Sequence, residues 1–310
     1  MKTELERAFQ QSGKARELEG SVRGLLSSDP GAFCAAILSV LESQSDAERH
    51  RTFELVADRR EFWVALLHNP GLSRGQLLEV CRYFMTIEDL VDVRLARLTP
   101  GRQGGDESHL DSETVLRILD LLDKLSPGSR LILLLNHLTQ HADRRIAAKA
   151  TLLVGRRIRN RDWLARQLDS SDGRVRASAV EGLWGVHSPA ALNSLWASLR
   201  DKNNRVVGNA LIGLHELGEA GVNEFVRRMI EDPRPPFRWT AAWVMGRIGA
   251  DEFTPCLQEA LKDKELHVRK AAEQALEAIV QHAEALEPKS TDTGDASGEA
   301  EVEAVPQEAR

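Results

Sequence analysis

The sequence predicts an all-α protein, an α-solenoid of stacked helical hairpins. Two observations carry this. A five-residue pattern returns along the second half of the chain: Ile146-Ala147-x-x-Ala150, Val175-Arg176-x-x-Ala179, Val206-Val207-x-x-Ala210, Phe237-Arg238-x-x-Ala241 and Val268-Arg269-x-x-Ala272, at intervals of 29, 31, 31 and 31 residues. Such a period marks a solenoid, in which each unit buries its apolar face only against a neighbour. Composition agrees, since 42% hydrophobic but only 5% aromatic residues, with a single Tyr, leave little strand-forming material.

Each unit reads as helix, turn, helix. In the third, Leu192, Leu195, Trp196 and Leu199 recur at helical steps and put one stripe inward. A turn from Asp201 to Arg205 follows, and Val206, Ala210, Leu214 and Leu217 mark the second stripe. The other first helices are expected near Asp162–Leu168, Val222–Ile230 and Thr254–Leu261, and all four stop at an acid: Asp169, Asp201, Asp232 or Asp263. Asp143, Asp172, Asn203 and Glu265 stand three residues before the repeated apolar position, where they can accept from free N–H groups of the second helix. The fourth unit starts instead on Arg234-Pro235-Pro236, using fixed proline dihedrals.

The pattern Asp-x-x-Val-Arg-x-x-Ala, best seen at Asp172 to Ala179, resembles HEAT repeats, particularly the short bilin-lyase-like form, over residues 126 to 282. The resemblance implies a HEAT-like superhelix. It also implies that Arg176, Arg238 and Arg269 pair with acids of adjacent repeats, with Asp143 and Asp172 as partners, in a ladder interrupted at Ala147 and Val207. It is specific for fold and nearly silent on function.

The chain divides into a helical region at 1–110, a repeat domain at 111–282 and an acidic tail at 283–310. In the first region Asp29-Pro30-Gly31 and Asn69-Pro70-Gly71 each precede an apolar helical run, as does Ser126-Pro127-Gly128 at the start of the repeats. Degenerate repeats continuing the stack are the economical account, and a separate helical domain is the alternative. Val115-Leu116-x-x-Leu119 keeps phase with the clear repeats, while Pro100 to Gly105 reads as a loop. The tail carries eight acids against Lys289 and Arg310 and has little to bury, so it is expected to be disordered. Since the whole chain is also at −6, the remainder is close to neutral.

The residues from Met1 to Phe9 lack an apolar central segment, and no apolar run is long enough to span a bilayer. Cys34, Cys81 and Cys256 are odd in number and far apart, and read as small buried apolar residues in a reducing compartment. A cytoplasmic protein without membrane insertion is expected.

Two surfaces stand out. From Asp143 to Arg176 ten basic residues face four acids, and Arg144, Arg145, Lys149, Arg156, Arg157 and Arg159 form the nominated basic patch. It is read as a solvated surface, a dock for an acidic protein segment, or a nucleic-acid contact. Helix phase supplies the second surface. Advancing 100° per residue from the repeated apolar position, positions two, six and nine point away from the seam, toward the concave side. They include Glu181, Trp184, Ile212, His215, Trp239, Trp243 and Gly246, with Arg247 and Glu216 nearby. Tryptophan is enriched among binding hot spots, so a partner helix or extended peptide is the expected ligand. Rings buried by a tightly curved stack are the competing account.

Catalytic motifs are absent from the sequence: no phosphate loop, no His-Glu-x-x-His helix and no paired-cysteine metal spacing. His215-Glu216 is the single His-Glu dipeptide, whereas HEAT-like di-iron hydroxylases need several. The expectation is a non-enzymatic, cofactor-free scaffold or regulatory adaptor that binds another protein. A nucleic-acid binder, with DNA-glycosylase-like activity through the basic cluster 144–176, is the alternative; a bilin-lyase role rests on the repeat subtype alone.

Overall fold

The computed structural model describes residues 3–4, 15–43, 45–69, 71–87, 89–99, 110–125, 129–158 and 160–286. Every described element is helical. The amino-terminal part holds α1 (Ala15–Ser28), α2 (Pro30–Ser43), α3 (Asp46–Ala57), α4 (Arg60–Leu67), α5 (Arg74–Ile87) and α6 (Val91–Arg97). Then come α7 (Ser112–Lys124), α8 (Ile132–Leu135) flanked by 3₁₀ turns, and α9 (Arg144–Ile158). The remaining hairpins are α10 (Arg161–Leu168) with α11 (Gly173–Glu181), α12 (Pro189–Ser198) with α13 (Asn204–Glu216), α14 (Val222–Met229) with α15 (Pro235–Ile248), and α16 (Thr254–Ala260) with α17 (Leu266–Leu286).

The second helices α7, α9, α11, α13, α15 and α17 pack side by side as one layer, each against the next. The first helices touch their own partners and barely one another. An array packed more closely on one layer than the other curves toward the closer layer, so the second helices line the concave side and the fold is an α-solenoid. Small residues permit the close approach. A Cβ on Gly246 of α15 would stand 2.8 Å from the Cα of Ala275 in α17.

Local chemistry sets the helix starts. Asp172 accepts from Arg174 N–H at 2.8 Å, and Asn203 accepts from Arg205 N–H at 3.0 Å. Asp143 does the same for Arg145 at 2.9 Å. At the last unit the cap is not Glu265; Asp263 instead accepts from the Glu265 N–H at 2.8 Å. α15 begins on Pro235 with no side-chain cap, as the prolines require. It ends on Gly249 at φ +73°, a left-handed geometry that suits glycine, with the His282 ring packed against it. Asp29 accepts from Ala32 N–H at 2.9 Å, but Asn69 does not cap α5. That helix opens on a reciprocal box in which Ser73 and Gln76 exchange hydrogen bonds of 3.3 and 2.9 Å.

The arginine ladder runs in the opposite sense to the expected one. Arg176 donates to Asp201 at 2.7 and 2.8 Å, and Arg238 donates to Asp263 at 2.6 and 2.9 Å. Each therefore clamps the turn of the following hairpin, while its third nitrogen reaches two carbonyls of its own turn. Asp143 and Asp172 are instead occupied by Arg145 and Arg174, two residues on. Among the described residues Arg269 meets only the carbonyls of Asp263 and Lys264. The ladder lapses at Val207, and there Asp232 is held by its local Arg234.

One core cluster runs without a break from Val22 to Val154 and a second from Leu164 to Ile279. The first contains the aromatic knot Phe53, Phe62, Trp63 and Phe84, with the Trp63 indole donating to Ala57 O at 2.7 Å. Buried Asp92, paired with Arg130 at 2.7 Å, ties α6 to the turn before α8. His68 Nε2 meets Thr114 Oγ1 at 2.8 Å and joins the end of α4 to α7. Cys34 and Cys81 are buried, and burial pushes both thiols up to about 12; Cys256 is half-buried. No described helix is long and apolar enough to cross a membrane. The Ser126-Pro127-Gly128 start, the loop at Pro100 to Gly105, Arg159 and residues 287–310 of the tail lie outside the described residues.

Candidate functional site

A groove of about 470 Å³ opens on the concave layer. Its floor combines Leu116 of α7, Ala148 and Leu152 of α9, Ala177 of α11, and Trp239 and Trp243 of α15. A second hollow of about 530 Å³ lies beyond the same two indoles, lined by Glu216, Gly246, Arg247, Gln274, Ala275 and His282. Trp239 and Trp243, one helical turn apart, thus form a ridge between two hollows. Trp243 is 38% exposed, a high value for so large an apolar ring.

Of the expected concave residues, Glu181, Trp239, Trp243 and Arg247 line these hollows. His215 is exposed but borders neither. Two placements need correction. Ile212 is 2% exposed, and Trp243 rests over Gly208 on the same stripe of α13, within 3.7 Å of where a Cβ would sit. Trp184 is off the helix altogether, because α11 ends at Glu181 and Gly185 turns the chain at φ +67°. Its indole folds back, donates to Asn209 O at 2.8 Å and fills the space that glycine leaves at Gly213.

The groove also takes in positions that helix phase left out. Lys149, Ser178, Asn209 and Thr240 are each three residues after the repeated apolar position, and Arg145, Arg174 and Arg205 each one before it. The open face is therefore rotated several tens of degrees from the expected one, because neighbouring second helices cover the flank where position nine projects.

Charge is distributed unlike the local count. Lys149 reaches Asp120 at 3.0 Å and Asp123 at 2.8 Å; burial alone would lower its ammonium, but these hydrogen bonds hold it above its ordinary value. Arg156 bridges Asp123 and Glu181. Arg157 is half-buried, lowered by desolvation, and donates to Leu153 O at 2.9 Å. Arg144 is exposed at the start of α9. The nominated patch is thus largely compensated, and most of the acids that do so, Asp120, Asp123 and Glu113, come from α7.

A column of arginines stands along one rim, and among the described residues only its last member keeps an uncompensated charge. Arg145, Arg174 and Arg205 stand at equivalent places in the first turns of α9, α11 and α13, where free N–H groups add positive character. Arg145 is shared with Asp143 and Glu113, and Arg174 with Asp172. Hydrogen bonding from these arginines holds Asp143 and Asp172 below the usual carboxylate range. In the third unit the cap is Asn203, which is neutral, so Arg205 has no carboxylate within ion-pair distance among the described residues.

Comparison with known proteins adds the family. Residues 132–214 and 206–277 match the profile described as HEAT repeats. Epoxyqueuosine reductases of Bacillus cereus and Bacillus anthracis are each 33% identical over 78 residues, 24% of this chain and 20% of theirs. The chain thus matches about one fifth of the length of these curated relatives. Among solved structures, human deoxyhypusine hydroxylase aligns at TM-score 0.35 and 16% identity, over 83% of this chain and 99% of that one. A designed armadillo repeat protein solved with the peptide (KR)4 aligns at TM-score 0.32 and 18% identity, over 70% and 97%. The expectation of a non-enzymatic protein is corrected here. A 78-residue stretch of the chain is 33% identical to part of an epoxyqueuosine reductase, so likeness to known proteins does not place the chain outside the enzymes. On the profile match and the stacked hairpins together, residues 132–277 of this chain are HEAT repeats.

Proposed function

We propose that the concave groove binds a segment of a partner protein, one that sets carboxylates beside an apolar anchor. The observation that carries this is the tryptophan ridge at Trp239 and Trp243, open to solvent between two hollows and facing the rim of Arg145, Arg174 and Arg205. Aromatic anchors supply binding energy when desolvated, and rim charges supply orientation and on-rate. The nucleic-acid reading is weaker. Lys149 and Arg156 already hold carboxylates, and only part of the basic cluster is left for phosphates.

Selection from a displayed random-peptide library on the immobilised chain tests the reading. Enriched peptides should pair Asp or Glu with an apolar residue. They should lose at least tenfold in affinity on Trp239→Ala with Trp243→Ala, and again on Arg174→Glu with Arg205→Glu, while helical circular dichroism is unchanged. Binders indifferent to both pairs of substitutions refute it.

A further inference from the structure

We propose that the chain supplies its own competitor for this groove: the acidic segment Glu299-Ala300-Glu301-Val302-Glu303-Ala304 docks along the Arg205–Arg174–Arg145 rim. The inference rests on the groove being a peptide site and names one occupant for it.

Three observations converge. Complementarity is the first. Between residues 287 and 310 stand seven acids against Lys289 and Arg310, and the groove lining offers four basic side chains against two acidic ones. Asp120 and Glu181 are held by Lys149 and Arg156, while Arg145 and Arg174 share Glu113, Asp143 and Asp172, so an incoming carboxylate pairs fully with Arg205 and competes for the other two arginines.

Pattern is the second. In an extended peptide successive side chains alternate sides. Glu299, Glu301 and Glu303 then share one side, toward the arginines, while Ala300, Val302 and Ala304 share the other. The floor they would meet is apolar and shallow, formed by Ala148, Leu152, Ala177 and the two indoles. Small side chains suit such a floor where bulky ones would be held off it.

Reach is the third. α17 carries His282 into the second hollow and runs only four residues further, about 6 Å, to Leu286. The second helices all run the same way, so Leu286 lies at the end opposite the arginine rim, about 30 Å along α17. Arg205 is two helices away, about 20 Å sideways, giving a straight line of about 36 Å. Thirteen residues separate Leu286 from Glu299 and span up to about 43 Å. Each further pair of residues adds about 7 Å against a helix spacing of about 10 Å, so Glu301 and Glu303 fall about 3 and 6 Å short of Arg174 and Arg145, gaps that long arginine side chains can close.

The consequence is intramolecular competition. A tether of this length holds the segment at an effective concentration of about a millimolar. A free peptide of the same sequence binding at about 0.1 mM would meet a groove about nine-tenths occupied, and its apparent affinity would fall about tenfold. A partner would have to displace the segment, so only ligands that also fill the space beside Trp243 would compete well.

The test uses a fluorescent synthetic peptide of residues 295–306 as probe, titrated by anisotropy against three full-length chains. The chain with Glu299→Gln, Glu301→Gln and Glu303→Gln should bind it about tenfold more tightly than the wild type. Adding Arg174→Glu and Arg205→Glu to that variant should abolish binding. Equal affinity for wild type and triple variant, or no binding to the triple variant, overturns the proposal. Library-selected peptides that still need Trp239 and Trp243 would then leave the groove intact as a partner site. Loss of those as well would remove both readings.

Discussion

Replacing Arg238 with Met removes a guanidinium while keeping an unbranched stem in its slot. Arg238 and Asp263 are 9% and 12% exposed. The guanidinium makes two charge-assisted hydrogen bonds to the carboxylate, at 2.6 and 2.9 Å, and two more to the Asp232 and Pro233 carbonyls at 3.0 and 3.2 Å. After the change Asp263 keeps the Glu265 N–H as its hydrogen-bond donor. Breaking a buried pair costs about 3–5 kcal/mol, and an exposed pair is worth at most about 1 kcal/mol. With about a tenth of the pair still wet, the expected loss is about 2–4 kcal/mol. In a stacked array each unit leans on its neighbours, so the loss should fall on the α15–α17 interface. Urea unfolding reports the total, and amide exchange along α17 reports its location. A double-mutant cycle with Asp263→Asn should return a coupling of about 2 kcal/mol. Arg269→Met, which loses only carbonyl contacts, should cost about 1 kcal/mol. A loss below about 0.5 kcal/mol for Arg238→Met, or a coupling near zero, would refute the view that the clamps hold the stack together.

Acid should undo the same clamps. Hydrogen bonding from Arg176 and Arg238 holds Asp201 and Asp263 below the usual carboxylate range, so these groups bind protons more weakly folded than unfolded. Their contribution is complete above about pH 4 and is lost as pH falls through the depressed folded values. Helicity followed by circular dichroism should therefore drop below about pH 4, with a shallower acid dependence in Arg176→Met and Arg238→Met. Packing at Gly246 is the other weak point. Valine there would press a Cβ within 2.8 Å of the α17 backbone and should cost about 1–3 kcal/mol. Gly185→Ala, strained at φ +67° but with open space around it, should cost about 1 kcal/mol. Thermal denaturation showing the reverse order would count against the close approach of α15 and α17.

Several parts of the site were legible from residue order alone. Position two falls on the groove at Ala148, Ala177 and Trp239, because a helix of whole turns carries its phase faithfully; at Gly208 it is covered by Thr240 and Trp243. Trp184 escaped that reasoning because its helix stops three residues short of it, an event decided by Gly182 and Gly185 rather than by phase. The basic cluster misled for a different cause: its neutralising acids sit in α7, more than twenty residues away in sequence, and no local count includes them. A signal for the arginine rim did exist. Arg145, Arg174 and Arg205 recur one residue before the repeated apolar position, and the cap beside the last of them changes from Asp to Asn.

Residue order is enough to make this chain a stack of helical hairpins, since units repeating near every 31 residues bury their apolar stripes against their neighbours. The caps at Asp143, Asp172 and Asn203 and the interruption of the ladder at Val207 followed from the same residues, being set within one turn of the chain, whereas Glu265 and Asn69 do not cap their helices. Tertiary structure alone decided which flank of the second helices stays open, which carboxylate each arginine clamps, and which indoles remain wet. Those outcomes depend on how closely successive hairpins approach. That distance is set where Gly246 meets Ala275 and Gly208 meets Thr240, contacts between residues about thirty apart in sequence.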